Sequence, residues 1–257
     1  MTTMFEIPPA AAEAAAKHQV PLGPDAPVMD VMATMRAMRR LRPDPVPREL
    51  LERCLEAATW APTGSNSQSY GYVIVDDRET MRRCAELWRR SARWYAASQQ
   101  RSVPEHSTPE KWAKLLEALR YQADHFEETP ALVAFTCDLG EQFMRRAIAS
   151  WRDTLAGYAA LGVGDSLKLT RNMLRLLTTA ESSSIYPGVE NFLIAARAHG
   201  LAATITTWHI AFEQDWRAAL GLGRRAKIYA IVPVGWPQGK FGPVVRRSVR
   251  ETLRYAG

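Results

Sequence analysis

Residues 46–77 read VPRELLERCLEAATWAPTGSNSQSYGYVIVDD, and the two periodicities in this stretch decide the fold class. Pro47 suits the first turn of a helix, where its missing N–H has no partner to lose. Leu50, Leu51, Cys54, Leu55 and Ala58 then recur at helical spacing, which predicts an amphipathic helix ending near Trp60. Residues 70–75, YGYVIV, form a short β-rich run with turn residues on both sides and predict a buried strand. Between the two lies a polar loop in which Thr63, Ser65, Asn66, Ser67 and Gln68 surround the backbone-permissive Gly64. Such a loop is either an ordinary capped turn or a hydrogen-bonding surface offered to a polar ring.

Upstream, a helix is expected from Asp30, as its cap, to about Arg40, because Pro43 and Pro45 stop it. It would place Arg36 and Arg40 on one face with Arg39 beside them, either as a solvated basic face or as an anion site. Residues 1–27 read as an N-terminal arm, punctuated by Pro21, Pro24 and Pro27, that lies over the domain or over a partner subunit. Downstream, Arg78–Ser98 and Pro109–Glu128 have helical patterns, and Ala131–Cys137 is a second strand. Helices are expected over 141–160, 165–180 and 187–199, then the β-rich runs LAATITTW and KIYAIVPVGW, then a terminal helix from Ser248. The pattern is α+β with helices in excess, and residues 28–257 read as one domain.

Composition narrows the function classes. The chain has 257 residues, 47% hydrophobic and 23% charged, which excludes disordered, collagen-like and staple-dependent mini-protein classes. Three cysteines, Cys54, Cys84 and Cys137, fall in no CxxC spacing and suit a reducing compartment. Residues 1–19 lack the basic and apolar regions of a secretory signal, and no segment approaches the ~18 apolar residues of a membrane span. A cytoplasmic protein with no membrane partner is the expectation. The net charge of +6 comes from arginines spread along the chain, whereas a nucleic-acid footprint concentrates them, so no nucleic-acid partner is expected.

Side-chain motifs for autonomous chemistry are missing. GWPQGKF (235–241) has one residue too few between its glycines for a phosphate loop, and Phe241 stands where a metal-binding hydroxyl is needed. GLGRRA (221–226) follows a helix and precedes a strand, the reverse of a dinucleotide-binding turn. The five histidines show no metal-ligand spacing, and no serine sits in a GxSxG elbow. This points to a bound organic cofactor rather than to a metal or a nucleophile.

Three blocks, taken in order, resemble the FMN-dependent nitroreductase family: 36–76, with its PDPVP, LLERCLEAATWAPTGSNSQ and YGYVIVD segments; SIYPGVENFLIAARAHGL (184–201); and VPVGWPQGKFGPVVRRSVRE (232–251). The resemblance implies a homodimeric α+β fold with a mostly antiparallel central sheet surrounded by helices and FMN at the dimer interface. It places Arg36, Arg39 and Arg40 in the family's N-terminal basic motif, near the phosphate and the flavin pyrimidine. Asn66 and Gln68 match its loop amides, with Pro62, Thr63 and Ser65 beside them. Arg246 matches its C-terminal phosphate-binding arginine, with Arg247 adjacent, and the backbone around Ser184, Ile185 and Tyr186 is placed against the flavin N5 edge.

The implied activity is an NAD(P)H oxidoreductase that reduces nitroaromatic, quinone-like or similar electron-poor substrates by ping-pong hydride transfer. It has no catalytic side chain, and Arg39 is the candidate to stabilise reduced flavin. The alternative of the same fold is a flavin-sequestering regulatory protein with little turnover. Met35 and Ala37 motivate it, standing where the family commonly has Arg and Ser; Ser69–Tyr70 likewise replaces a Pro-aromatic pair. The long stretch 143–183, with Trp151, Tyr158 and Met173, is expected to serve core or dimer packing rather than to wall a substrate pocket.

Overall fold

Strand β2 (Ala131–Cys137) is buried along its whole length, and its alternate residues feed two separate cores. Ala131, Val133, Phe135 and Cys137 pack against Leu51, Leu55 and Ala58 of helix α2 (Arg48–Thr59) and Ile185, Val189 and Phe192 of helix α5 (Trp151–Ala198). Leu132 and Ala134 face the other way, toward Met81, Cys84 and Trp88 of α3 (Arg78–Gln99) and Trp216 of α6 (Glu213–Ala219). The period-2 pleat thus fills the space on both faces of the sheet.

The chain is seen in a computed structural model that describes residues 9, 10, 12, 13, 25–99, 103–105, 107–137, 145 and 148–256. The N-terminal arm therefore falls mostly outside the described residues. The sheet has the order β1-β2-β4-β3 and is antiparallel throughout, with β1 at Tyr70–Val75, β3 at Ala202–Ala203 and β4 at Lys227–Gly235. A bulge between Phe135 and Thr136 shifts the β2–β4 register. Further α-helices among the described residues are α1 (Val28–Thr34), α4 (Pro109–Asp124) and a short α7 (Val249–Thr252). The α+β expectation with a mostly antiparallel, helix-covered sheet holds. Among the described residues no helix is long and apolar enough to cross a membrane.

Three local expectations are corrected. β1 is an edge strand, half-buried from Tyr70 to Ile74, so it is not the fully buried strand that its composition predicts. The helix expected to reach Arg40 ends at Thr34. There the Thr34 hydroxyl donates back to the carbonyls of Asp30 (2.8 Å) and Val31 (3.3 Å), competing with continuation of the helix. The backbone is extended at Met35, and the Met38 N–H and carbonyl then bond to Ala203 and to the Thr204 hydroxyl. Sheet-edge pairing thus replaces the helical turn that would have aligned Arg36 with Arg40.

The third correction concerns 151–198: two helices meet at a kink within the gap expected between 160 and 165, but the gap expected between 180 and 187 is absent and the second helix runs unbroken to Ala198. The non-helical residue at the kink is Gly162 (φ 71°, ψ 171°), a conformation glycine adopts without strain, and Pro187 sits inside the second helix. Trp151, Leu155, Val163, Leu167 and Leu174 are exposed, so this half does not pack in the chain's own core. From Glu181 onward the helix is built into the fold. A Cβ on Gly188 would lie 3.0 Å from the Ala58 carbonyl, and Asn191 Nδ2 donates to the Ala57 carbonyl at 3.1 Å. This close α2–α5 contact sets the position of the loop that follows α2.

Candidate functional site

A cavity of about 190 Å³ opens where four distant segments meet. Its lining comes from Met35–Ala37 after α1, from Glu190, Leu193 and Arg197 of α5, from Leu201–Ile205 around β3, and from Phe241 and Arg246 near the C-terminus. Backbone bonds lay the C-terminal segment along the segment after α1: Arg42 N donates to Trp236 O (2.8 Å), Gln238 N to Arg40 O (3.0 Å) and Val244 N to Ala33 O (2.9 Å). Gly242 leaves room for Arg36, since a Cβ there would come within 3.0 Å of Arg36 Nη1.

Arg197 is the centre of this cavity's electrostatics. It is 1% exposed, its Nε–H donates to Thr34 Oγ1 at 3.1 Å, and its guanidinium stacks 3.8 Å from the Phe241 ring centroid. Its Nη1 and Nη2 are buried with no hydrogen-bond partner among the described residues, and burial brings its pKa down to about 10. Arg36 and Arg246 reach the same cavity from the exposed side. Three guanidiniums around one small cavity are the donor set a dianionic phosphate requires. The residues present therefore fit the phosphate end of a flavin mononucleotide.

The other arginines divide. Arg39 is half-buried, its Nε has no partner, and burial holds its pKa below the usual value, partly countered by Tyr95. Arg40 turns away: its Nη2 lies 3.3 Å from Glu117 Oε1 and its guanidinium 4.7 Å from the Tyr121 ring centroid, both on α4. The expected Arg36–Arg40 pair is therefore absent, because the extended backbone separates the two side chains. Arg247 is exposed and does not line the cavity that holds Arg246.

The polar loop is held by its own bonds. Asn66 N donates to the Thr63 carbonyl (2.9 Å), Gln68 N to Thr63 Oγ1 (3.1 Å) and Gln68 Nε2 to Asn66 Oδ1 (3.3 Å). Ser65, Asn66 and Gln68 all have positive φ, at 53°, 49° and 48°, conformations that cost non-glycine residues of order 1 kcal/mol each. Pro62, Ser65, Asn66 and Gln68 are exposed, and Thr63 is half-buried. Gly64 N donates to Ser184 Oγ at 3.1 Å, which ties the loop to α5. Ile185 is core, and the Tyr186 hydroxyl donates to the Tyr229 carbonyl. These two side chains thus serve packing, and none of Ser184, Ile185 and Tyr186 lines the cavity. Ser184 and Arg197 stand thirteen residues apart on one helix, about 20 Å at 1.5 Å per residue.

Residues 32–236 match the sequence profile of the nitroreductase family. The chain belongs to the nitroreductase family. Among curated relatives, this nitroreductase-family chain is 30% identical over 235 residues to an NADH dehydrogenase of Thermus thermophilus, spanning 88% of the chain and 96% of that protein. It is 21% identical over 227 residues to an iodotyrosine deiodinase of Danio rerio, spanning 87% of the chain but 65% of the deiodinase. Two crystal structures share the fold. A nitroreductase with bound FMN from Desulfitobacterium hafniense superimposes with a TM-score of 0.58 at 15% identity, over 90% of this chain and 98% of that one. An oxidized iodotyrosine deiodinase bound to FMN and 3-iodo-L-tyrosine gives 0.61 at 18% identity, over 90% and 100%.

Sequence reasoning missed Arg197, Phe241 and Leu201–Ile205. A signal for Arg197 was present: it follows Val189 and Leu193 at helical spacing, so it falls in the apolar phase of its helix. A charge in that phase faces the core.

Proposed function

We propose that this nitroreductase-family protein is an FMN-dependent oxidoreductase that uses NAD(P)H to reduce nitroaromatic, quinone-like or similar electron-poor substrates, and that it works as a homodimer. The supporting observation is the meeting of Arg36 and Arg246, more than two hundred residues apart in sequence, in one small cavity. Bound there, FMN would supply hydride chemistry at its N5. The chain supplies binding and electrostatics. Arg36 and Arg246 hold the phosphate from the exposed side, and Arg39, with its buried donor, stabilises negative charge on the pyrimidine side. The exposed Asn66 and Gln68 offer amides to a polar ring, while about 20 Å of helix separates their loop from the arginine cavity. In this reading the ring end of the site is completed by the loop of a second chain. The exposed apolar face of α5 from Trp151 to Leu174 suits the same assembly.

The test is purification with spectroscopy, NAD(P)H assay and light scattering. The expected result is a yellow dimer that oxidises NAD(P)H when an electron-poor acceptor is added. A colourless protein that fails to bind added FMN would refute the flavin reading, and a monomer retaining FMN would refute the shared site. Stable FMN binding without turnover would support the flavin-sequestering alternative, which Met35 and Ala37 in the cavity wall favour.

A further inference from the structure

We infer that Arg197 is a direct ligand of the FMN phosphate and supplies, from inside the core, the positive charge that Met35 leaves out. The inference rests on the flavin reading above and assigns it a residue outside both arginine motifs. An unpaired guanidinium in a protein interior carries a desolvation cost that an apolar side chain of similar size avoids. Arg197 is such a group. Its one side-chain hydrogen bond, from Nε–H to Thr34, fixes the plane of the guanidinium, and Phe241 covers a face. The four N–H donors of Nη1 and Nη2 are left without a partner beside a cavity that Arg36 and Arg246 share. Glu190 also lines the cavity, yet no carboxylate bonds to those donors. A planar fork of unused donors on a residue that lines a cavity with two further guanidiniums is complementary to a doubly charged oxyanion, and a phosphate monoester matches it in shape and charge. Met35 lines the same cavity, so a buried guanidinium on α5 stands close to where a surface one is missing.

The experiment compares wild type, Arg197→Met and Arg197→Lys as apo-proteins. Each is titrated with FMN, with riboflavin, which has the same ring without the phosphate, and with inorganic phosphate, and each is melted. In Arg197→Met the FMN dissociation constant should rise about tenfold or more, while that for riboflavin stays within about twofold. Phosphate should raise the melting temperature of wild type and not of this variant, and the apo-variant should melt at or above wild type. Arg197→Lys, which keeps the charge without the fork, should fall between. Equal losses for both flavins, a variant that fails to fold, or wild-type FMN affinity in Arg197→Met would each overturn the assignment and leave a structural role. If no protein binds FMN but the phosphate response still depends on Arg197, the flavin reading falls and the anion role of Arg197 stands.

Discussion

Glu181 and Arg197 are both buried charges on α5, sixteen residues apart, and the fold treats them in opposite ways. Both oxygens of Glu181 accept from Lys227 Nζ, at 2.7 and 2.8 Å, and one also accepts from the Tyr229 hydroxyl. Burial, and then the bonded Glu181 carboxylate, raise the Tyr229 pKa, so it remains a phenol and a donor. At Arg197 only Nε finds a partner. The difference teaches that burial of a charge does not by itself mark a binding site; what sets Arg197 apart is a pair of buried, unpartnered nitrogens on a residue that lines a cavity.

The largest effect should come from breaking the satisfied side. Glu181→Leu leaves Lys227 and the Tyr229 hydroxyl without their acceptor and should lower stability by about 2–3 kcal/mol in urea unfolding, with flavin affinity nearly unchanged in the folded fraction. Adding Lys227→Met should recover part of the loss. A Glu181→Leu protein of normal stability and poor FMN binding would reverse the comparison.

On the unsatisfied side the exposed cavity partner sharpens the contrast. Arg246→Ala removes a charge-assisted contact and should weaken FMN binding by about 2 kcal/mol, roughly thirtyfold, without a stability cost. Arg247→Ala should matter less, because Arg247 lies outside the cavity. Flavin-fluorescence titration of both apo-proteins decides this, and equal, near-wild-type dissociation constants would remove Arg246 from the phosphate.

The smallest effect concerns an intermediate case. His209 is fully buried; its Nε2–H donates to the Ile228 carbonyl at 2.7 Å, and its Nδ1 has no partner. Burial lowers its pKa below 6.5, so the folded protein keeps it neutral while the unfolded chain takes up a proton. This contribution to stability is full above pH 6.5 and is lost as pH falls toward the folded-state pKa. Replacing His209 by Gln should flatten the pH dependence of denaturation midpoints in that window. An unchanged profile would show that His209 does not drive it.

Much of the frame was legible because its signals are local. The leucines at 50, 51 and 55 place α2, the short apolar run ALVAFTC places β2, and the order of the three resembling blocks points to the nitroreductase fold. Of the residues that the motifs single out, Arg36 and Arg246 reach one cavity, and Asn66 and Gln68 sit exposed on one loop. Arg40 departs from its expected place because the helix ends at Thr34, six residues before it. Ser184–Tyr186 match the resembling block in sequence, yet the walls of the cavity come from Leu201–Ile205, where the chain leaves the same helix for the sheet.

By itself the sequence determined the helix over Arg48–Thr59 and the presence of strands at Tyr70–Val75 and Ala131–Cys137, because helical spacing and short β-rich runs are properties of neighbouring residues. Tertiary structure alone decided that Met35–Leu41 is extended, since its hydrogen bonds go to residues 203, 204 and 236–238. It alone brought Arg36, Arg197 and Arg246 to one cavity and left Arg197 unpaired where Glu181 was satisfied. Those outcomes depend on contacts between residues more than two hundred positions apart, where a side chain's partners are set by packing and not by spacing along the chain.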